Sequence, residues 1–259
     1  MKVLHVYKTY LPDTVGGVEQ SINQIACGTA NLGVIPEVFT LSPSVVDRTI
    51  QVDGHLVHRS RSNFEVASTP FSASAFLHFW QLARKADLIH YHFPYPFADV
   101  LHLTSQIKKP TLITYHSDII KQKHLLKIYR PLQQYFLNSV DHIVATSHNY
   151  VANSLVLSRF KHKTSIIPLG LDKDTYAEAS AEKLTFWKKR FGPRFFLFVG
   201  VIRYYKGLHL LVEAAHNSDY PIVILGAGPI EAELKAHALK LGVQNMHFLG
   251  FQPDEDKVA

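Results

Sequence analysis

The chain has 259 residues, with 27 lysines and arginines against 21 acids, a net charge of +6, and 16 histidines besides. A hydrophobic share of 47% with 16 Phe and 12 Tyr excludes a disordered chain, and the single cysteine, Cys27, excludes an intrachain disulfide. No run reaches the roughly 18 uninterrupted apolar residues of a spanning helix, and the apolar start MKVLHVYKTYLP is broken by Lys8 and Pro12, too early for a signal peptide. The expectation is a cytoplasmic protein of two domains, soluble or surface-bound.

From the N-terminus, short apolar runs predict strands at VLHVY (3–7), EVFTL (37–41), LIHY (88–91), TLITY (111–115), HIVAT (142–146) and TSIIP (164–168). Helical periodicity fills 18–33, where Cys27 reads as a small buried residue, and then 74–86 and 125–140. Continuous rather than alternating apolar strands suggest burial on both faces, as in a parallel sheet covered by helices. The class is therefore α/β, doubly wound.

A more polar stretch from 169 to 192 reads as a connector with one helix, after which the pattern restarts. Strands are expected at 194–200, 221–226 and 245–250, with helices at 207–217 and 229–241. The expected division is a domain over 1–170, a connector over 171–192, and a smaller domain over 193–259 with three strands.

In open α/β sheets ligands gather where strands end, so the loops leaving those ends carry the candidates. PDTVGGVEQ (12–20) puts Gly16 and Gly17 ahead of a helix, where backbone can approach an anion, although no G-x-G-x-x-G is present. TYHSDIIKQKH (114–124) puts His116 and Asp118 after a buried strand, with a histidine proton expected near neutral pH. A triad through Ser117 lacks the G-x-S-x-G elbow. FVGVIRYYKGL (198–208) carries Arg203 and Lys206 between a strand and a helix start at Gly207, a placement suited to a diphosphate. LGAGPIEAEL (225–234) is a tight turn with proline early in a helix, which reads as structural.

In order, GGVE, YHSD, IPLGLD, FVGVIRYYKGL, LGAGP and FLGF resemble the retaining family 4 glycosyltransferases of the GT-B fold, most of all bacterial mannosyltransferases of lipopolysaccharide O-antigen synthesis. The resemblance implies two Rossmann-like domains, an acceptor bound mainly by the first and a nucleotide-sugar by the second, with the active-site cleft between them. It implies that Gly16, Gly17 and Gly200 lie at the donor phosphates, that His116 contacts the transferred sugar, and that Arg203 and Lys206 bind the diphosphate. The loop over 250–254, with Gln252, approaches the nucleobase. GDP-mannose is the favoured donor and a lipid-linked saccharide the acceptor, with neither metal nor other cofactor required.

The family's E-x7-E motif is expected beyond PDEDKVA, so the second domain reads as incomplete and this chain as poorly active. A sugar-nucleotide-binding remnant without catalysis is the competing reading. A nucleic-acid binder is disfavoured, because the cations are spread over several loops without a recognition pattern. The stretch 119–136 reads first as an ordinary surface helix packing on the sheet, and second, since the resemblance implies a lipid-linked acceptor, as a peripheral contact with the inner face of the plasma membrane: Lys123, Lys127 and Arg130 share one helical face and Ile120, Leu126, Tyr129 and Phe136 lie around it.

Overall fold

The computed structural model describes residues 1–119, 123–170 and 178–259, without the side chains of Lys123 and His124. The chain divides into two compact units, Met1–Leu171 and Asp172–Ala259.

The first unit runs β1 (Lys2–Val6), α1 (Gly17–Ala30), β2 (Ile35–Ser42), β3 (Thr49–Val52), β4 (His55–Arg61), β5 (Phe64–Val66), β6 (Thr69–Phe71), α2 (Ser74–Lys85) and β7 (Leu88–Phe93). It continues with α3 (Pro96–Ser105), β8 (Thr111–Tyr115), α4 (Lys123–Ser139), β9 (His142–Ala145), α5 (His148–Asn153) and β10 (Thr164–Ile166). The main sheet has the order β10-β9-β8-β7-β1-β2-β4-β3. All of its pairings are parallel except β3 with β4.

Burial on both faces explains the apolar runs: Leu4, Val6, Val38, Phe39, Ile113 and Ile143 are all essentially inaccessible. The chain leaves β1 toward β2 and leaves β7 toward β8, in opposite directions, so the carboxyl ends of β1 and β7 diverge into a crevice. On one side α3 packs against both α2 and α4. A buried Asp99 on α3 accepts a hydrogen bond from the Tyr129 hydroxyl of α4. Burial holds the Asp99 carboxyl well above the usual carboxylate range, against the opposing pull of the Tyr129 hydrogen bond.

Strands β3 to β6 were not expected. β4 carries four buried polar residues, His55, His58, Arg59 and Ser60, which mask its apolar pattern. The signal that finds it is Asp53-Gly54, both at positive φ, which turns β3 back onto β4 as a hairpin.

The second unit holds α6 (Ala181–Phe191), β11 (Phe196–Val199), α7 (Leu208–Ala215), β12 (Ile222–Leu225), α8 (Glu231–Lys240), β13 (Met246–Gly250) and α9 (Asp254–Val258). Its sheet is parallel in the order β11-β12-β13. Central β12 is apolar throughout because it is covered twice. Ile222 and Ile224 join Leu208 and Val212 of α7 and Leu234 of α8, while Val223 and Leu225 meet Trp187 and Phe191 of α6. Thus α6, which falls in the stretch read as a connector, is part of the second unit's layer. Trp187 Nε1 and Lys183 Nζ bond the Asp256 carboxylate at 3.2 and 2.9 Å and tie α9 to it.

Candidate functional site

At the carboxyl end of β1, Gly16 caps α1 in an extended conformation and Gly17 begins the helix. Neither glycine has a positive φ. A Cβ on Gly16 would come within 2.4 Å of Oε2 of Glu19, so any side chain there would displace the end of the Glu19 carboxylate. Glu19, buried in the first turn, accepts hydrogen bonds from Thr9 Oγ1 at 2.7 Å and Thr14 Oγ1 at 3.3 Å, which folds the loop over the helix start. Gly17 has open space where a side chain would stand, so this is the glycine whose backbone a ligand can reach. Glu19 was visible in GGVE but carries no signal apart from its distance to Gly16.

His116 follows β8, its backbone N–H bonded to the Phe93 carbonyl at 3.0 Å. Its ring ends a file of four histidines on one face of the sheet. His5 on β1 lies in register with His90 on β7, and His90 and His92, two residues apart, stack at 4.4 Å between centroids. His5 Nδ1 is 3.2 Å from His92 Nε2, and His92 Nδ1 is 3.0 Å from His116 Nε2. His90 Nε2 meets Thr114 Oγ1 at 2.7 Å.

Burial lowers His116 to about 4 and His5 to about 3. His90 and His92 are pushed well below the usual range by burial first and by the neighbouring rings second. The expectation of a histidine proton exchanging near neutral pH is therefore corrected: His116 is a neutral imidazole, which can donate or accept a hydrogen bond without titrating. One nitrogen from each of His5, His90 and His92 lies within 4.8 Å of the others, which makes them the group of described residues able to surround a metal ion. In this arrangement His5 and His92 are engaged with each other instead.

Asp118, the other candidate of that loop, is occupied structurally. Its Oδ1 accepts from Tyr115 Oη at 2.7 Å and Ser154 Oγ at 3.1 Å, pinning the chain as it leaves β8.

In the second unit β11 ends at Gly200, whose φ is +150°. The loop beyond it is held by two backbone bonds, Gly200 N–H to the Leu225 carbonyl at 2.9 Å and Ile202 N–H to the Ala227 carbonyl at 3.0 Å. That contact explains LGAGP. A Cβ on Gly226 would come 2.1 Å from the Gly200 carbonyl oxygen, and one on Gly228 would come 2.1 Å from that of Ile202.

Ile202 is fully buried beneath, so Arg203 and Lys206 emerge from an anchored base. Both are exposed and neither makes an ion pair among the described residues; Lys206 Nζ sits 5.6 Å from the Tyr205 ring centroid. Gly207, left-handed at φ 71°, then opens α7. Gln252 lies between β13 and α9 and spends its Nε2 on the Leu249 carbonyl at 2.8 Å, while neighbouring Phe251 is 79% exposed. Within each unit the candidates therefore gather at the carboxyl ends of parallel strands: Gly16, Gly17 and His116 in the first, Gly200, Arg203, Lys206 and Gln252 in the second.

A mainly parallel sheet unit with a glycine loop and a parallel sheet unit with a cation loop, both at strand ends, fit a GT-B type glycosyltransferase. The family model Glycosyltransferase Family 4 matches residues 15–175, and Glycosyl transferases group 1 matches residues 181–259. The chain belongs to this glycosyltransferase family. It is 52% identical over 259 residues to the D-rhamnosyltransferase WbpZ of Pseudomonas aeruginosa, covering 100% of this chain and 68% of that one. It is 49% identical over 257 residues to the O-antigen chain mannosyltransferase C of Escherichia coli, covering 99% and 69%. Among solved structures, Anabaena Alr3699/HepE in complex with UDP and glucose shares the fold at a TM-score of 0.75 and 18% identity, covering 98% of this chain and 70% of that one.

Proposed function

We propose that the chain transfers a hexosyl residue, with retention, from a nucleoside-diphosphate sugar to a lipid-linked saccharide in O-antigen synthesis, with GDP-mannose the favoured donor. The anchored loop of Arg203 and Lys206 carries this reading. Two cations that make no ion pair among the described residues stand ahead of a helix start, on backbone fixed by the LGAGP loop. Guanidinium forks two oxygens and ammonium adds a point charge, which stabilises the negative charge growing on a departing diphosphate.

In this reading Gly17 and Gly200 let backbone approach the donor phosphates, and neutral His116 hydrogen-bonds the transferred sugar. Gln252 and its loop take the nucleobase. The acceptor hydroxyl attacks the anomeric carbon on the face the diphosphate leaves, and a departing phosphate oxygen takes its proton. The names of the two relatives support hexoses of the mannose and D-rhamnose type. Calorimetry with GDP-mannose in competition with its 6-deoxy counterpart tests donor binding and decides the sugar, and binding of neither sinks the reading; incubation with a lipid-linked acceptor then separates the poor turnover expected of this chain from robust transfer, which overturns that expectation.

Peripheral membrane contact belongs to the same reading. Of the residues first considered, Phe136 faces the core and Tyr129 bonds Asp99, while Ile120 and the Lys123 side chain lie outside the described residues. The outward apolar residues of α4 are Leu125, Ile128 and Tyr135, beside exposed Lys127 and Arg130. Among the described residues no helix is long and apolar enough to cross a membrane. Flotation with anionic liposomes at low and high salt tests the contact, and no binding at low salt removes it.

A further inference from the structure

A cavity of about 430 Å³ opens in the first unit, beyond every residue assigned above. It is lined by Val45 and Val46 after β2, Arg59, Ser60 and Arg61 at the carboxyl end of β4, and Ser74, Leu77 and His78 on α2, with Arg48 among them. It thus lies at the same end of the sheet as the glycine loop and His116.

The three arginines play two parts. Arg59 is buried and fixed: its Nε and Nη2 bond the Asp47 carbonyl at 3.2 and 2.8 Å, and its Nη1 lies 3.4 Å from Asp13 Oδ1, at the start of the glycine loop. Arg48 and Arg61 are exposed on the cavity and make no ion pair among the described residues. Asp13 neutralises one guanidinium, and the other two leave the cavity cationic. Two guanidiniums with free forks match the oxygens of a phosphoryl group or a diphosphate.

Beside polar Ser74, His78 and Gln81, the rim carries outward apolar side chains. Val46 is 88% and Leu77 62% exposed, and Phe76 and Trp80 add exposed aromatic surface on α2. Beneath the surface, ring contacts run from Phe76 through buried Phe97 and half-buried Phe71 to Phe64, which with Val66 exposes a further apolar patch on the β5–β6 hairpin. A free sugar phosphate has no use for such a rim, whereas a phosphorylated lipid presents both halves together.

We infer that this cavity binds the diphosphate of a hydrocarbon-bearing acceptor, with Arg48 and Arg61 forking its oxygens and Val46 and Leu77 meeting the adjoining chain. The inference rests on the proposed lipid-linked acceptor and supplies its binding residues.

The test is calorimetry on the full chain carrying Arg203→Ala and Lys206→Ala, so that the second unit's cations contribute nothing, with inorganic pyrophosphate and farnesyl diphosphate as probes. Both should bind, farnesyl diphosphate the more tightly, and adding Arg48→Ala with Arg61→Ala should weaken each by at least about tenfold. A thermal melt of the quadruple variant matching its parent shows that the loss is local, since both arginines are exposed. Leu77→Ser should narrow the gap between the two probes and leave pyrophosphate unchanged.

Equal affinity with and without Arg48 and Arg61, or no binding of either probe, overturns the site. Pyrophosphate binding through these arginines with no advantage to the farnesyl chain overturns the lipid half. If phosphatidylglycerol vesicles bind through Arg48 and Arg61 while farnesyl diphosphate does not, the occupant is a phosphodiester headgroup and the inference falls. Transfer from the nucleotide-sugar, measured with Arg203 and Lys206 intact, reports separately on the proposed reaction.

Discussion

His92 Nδ1 stands 3.0 Å from His116 Nε2, and the opposite nitrogen of His92 stands 3.2 Å from His5 Nδ1. Each gap holds one proton, and each neutral ring has one to give. His5 Nε2 is buried without a partner among the described residues, so the direction that leaves no stranded N–H runs outward from His5 through His92. In the proposed reading, that order leaves His116 Nδ1–H to donate toward the sugar. His92→Phe keeps a flat ring and removes both bonds. Its transfer rate should fall about tenfold, with the donor KM changed much less. Steady-state kinetics check this, and an unchanged rate means that the file does not orient His116.

Acid should unfold the first unit through the same rings. From the ordinary histidine value of 6.5 down to about 4 for His116 and about 3 for His5, the unfolded chain binds protons that the folded chain refuses. Stability therefore rises with pH across this window and is lost as pH falls through it. Denaturant melts at pH 7, 5.5 and 4.5 should show the midpoint falling at each step, and a flat profile contradicts buried neutral rings.

Arg203→Ala and Lys206→Ala should each weaken GDP binding by about tenfold, with the double variant weaker still. Raising salt should erode binding to the parent chain more steeply than to the double variant, because screened charge is what the substitutions remove. Calorimetry at two ionic strengths decides it.

Gly228→Ala forces a Cβ to within 2.1 Å of the Ile202 carbonyl oxygen. Backbone must give way, so a destabilisation of about 3 kcal/mol is expected together with weakened GDP binding, as the base of Arg203 shifts. Gly17→Ala, at a site with open space, should leave the melting point nearly unchanged.

Tyr129→Phe removes the donor to buried Asp99 and leaves that carboxyl without its partner across α3 and α4. A loss of about 1–3 kcal/mol in chemical denaturation is expected. Asp99→Asn, which can still accept the bond, should cost less.

Much of this molecule was legible in the sequence where burial is two-sided. Runs such as TLITY and PIVILG have no polar face and therefore declare parallel strands, and β8 and β12 stand where those runs predict them. Polar burial was hidden. β4 looks like a loop because His58 and Arg59 spend their polarity inside, on Glu37 and Asp47. The cations Arg203 and Lys206 were readable because a strand, a glycine and a helix start bracket them. The histidine file was not, since His5, His90, His92 and His116 meet only through the register of three strands. In the same way Arg48, Arg59 and Arg61 become one group only when the Asp53-Gly54 turn brings β3 back onto β4.

The two backbone bonds from Gly200 and Ile202 to Leu225 and Ala227 prolong the β11–β12 ladder past the last strand residue. The loop beneath Arg203 is thus ordered during folding rather than when a ligand arrives. Association then forfeits only side-chain freedom at Arg203 and Lys206, since the main chain has already surrendered its own. Anion capture by this loop should accordingly be fast and lock-and-key in character, with little heat-capacity change from the backbone.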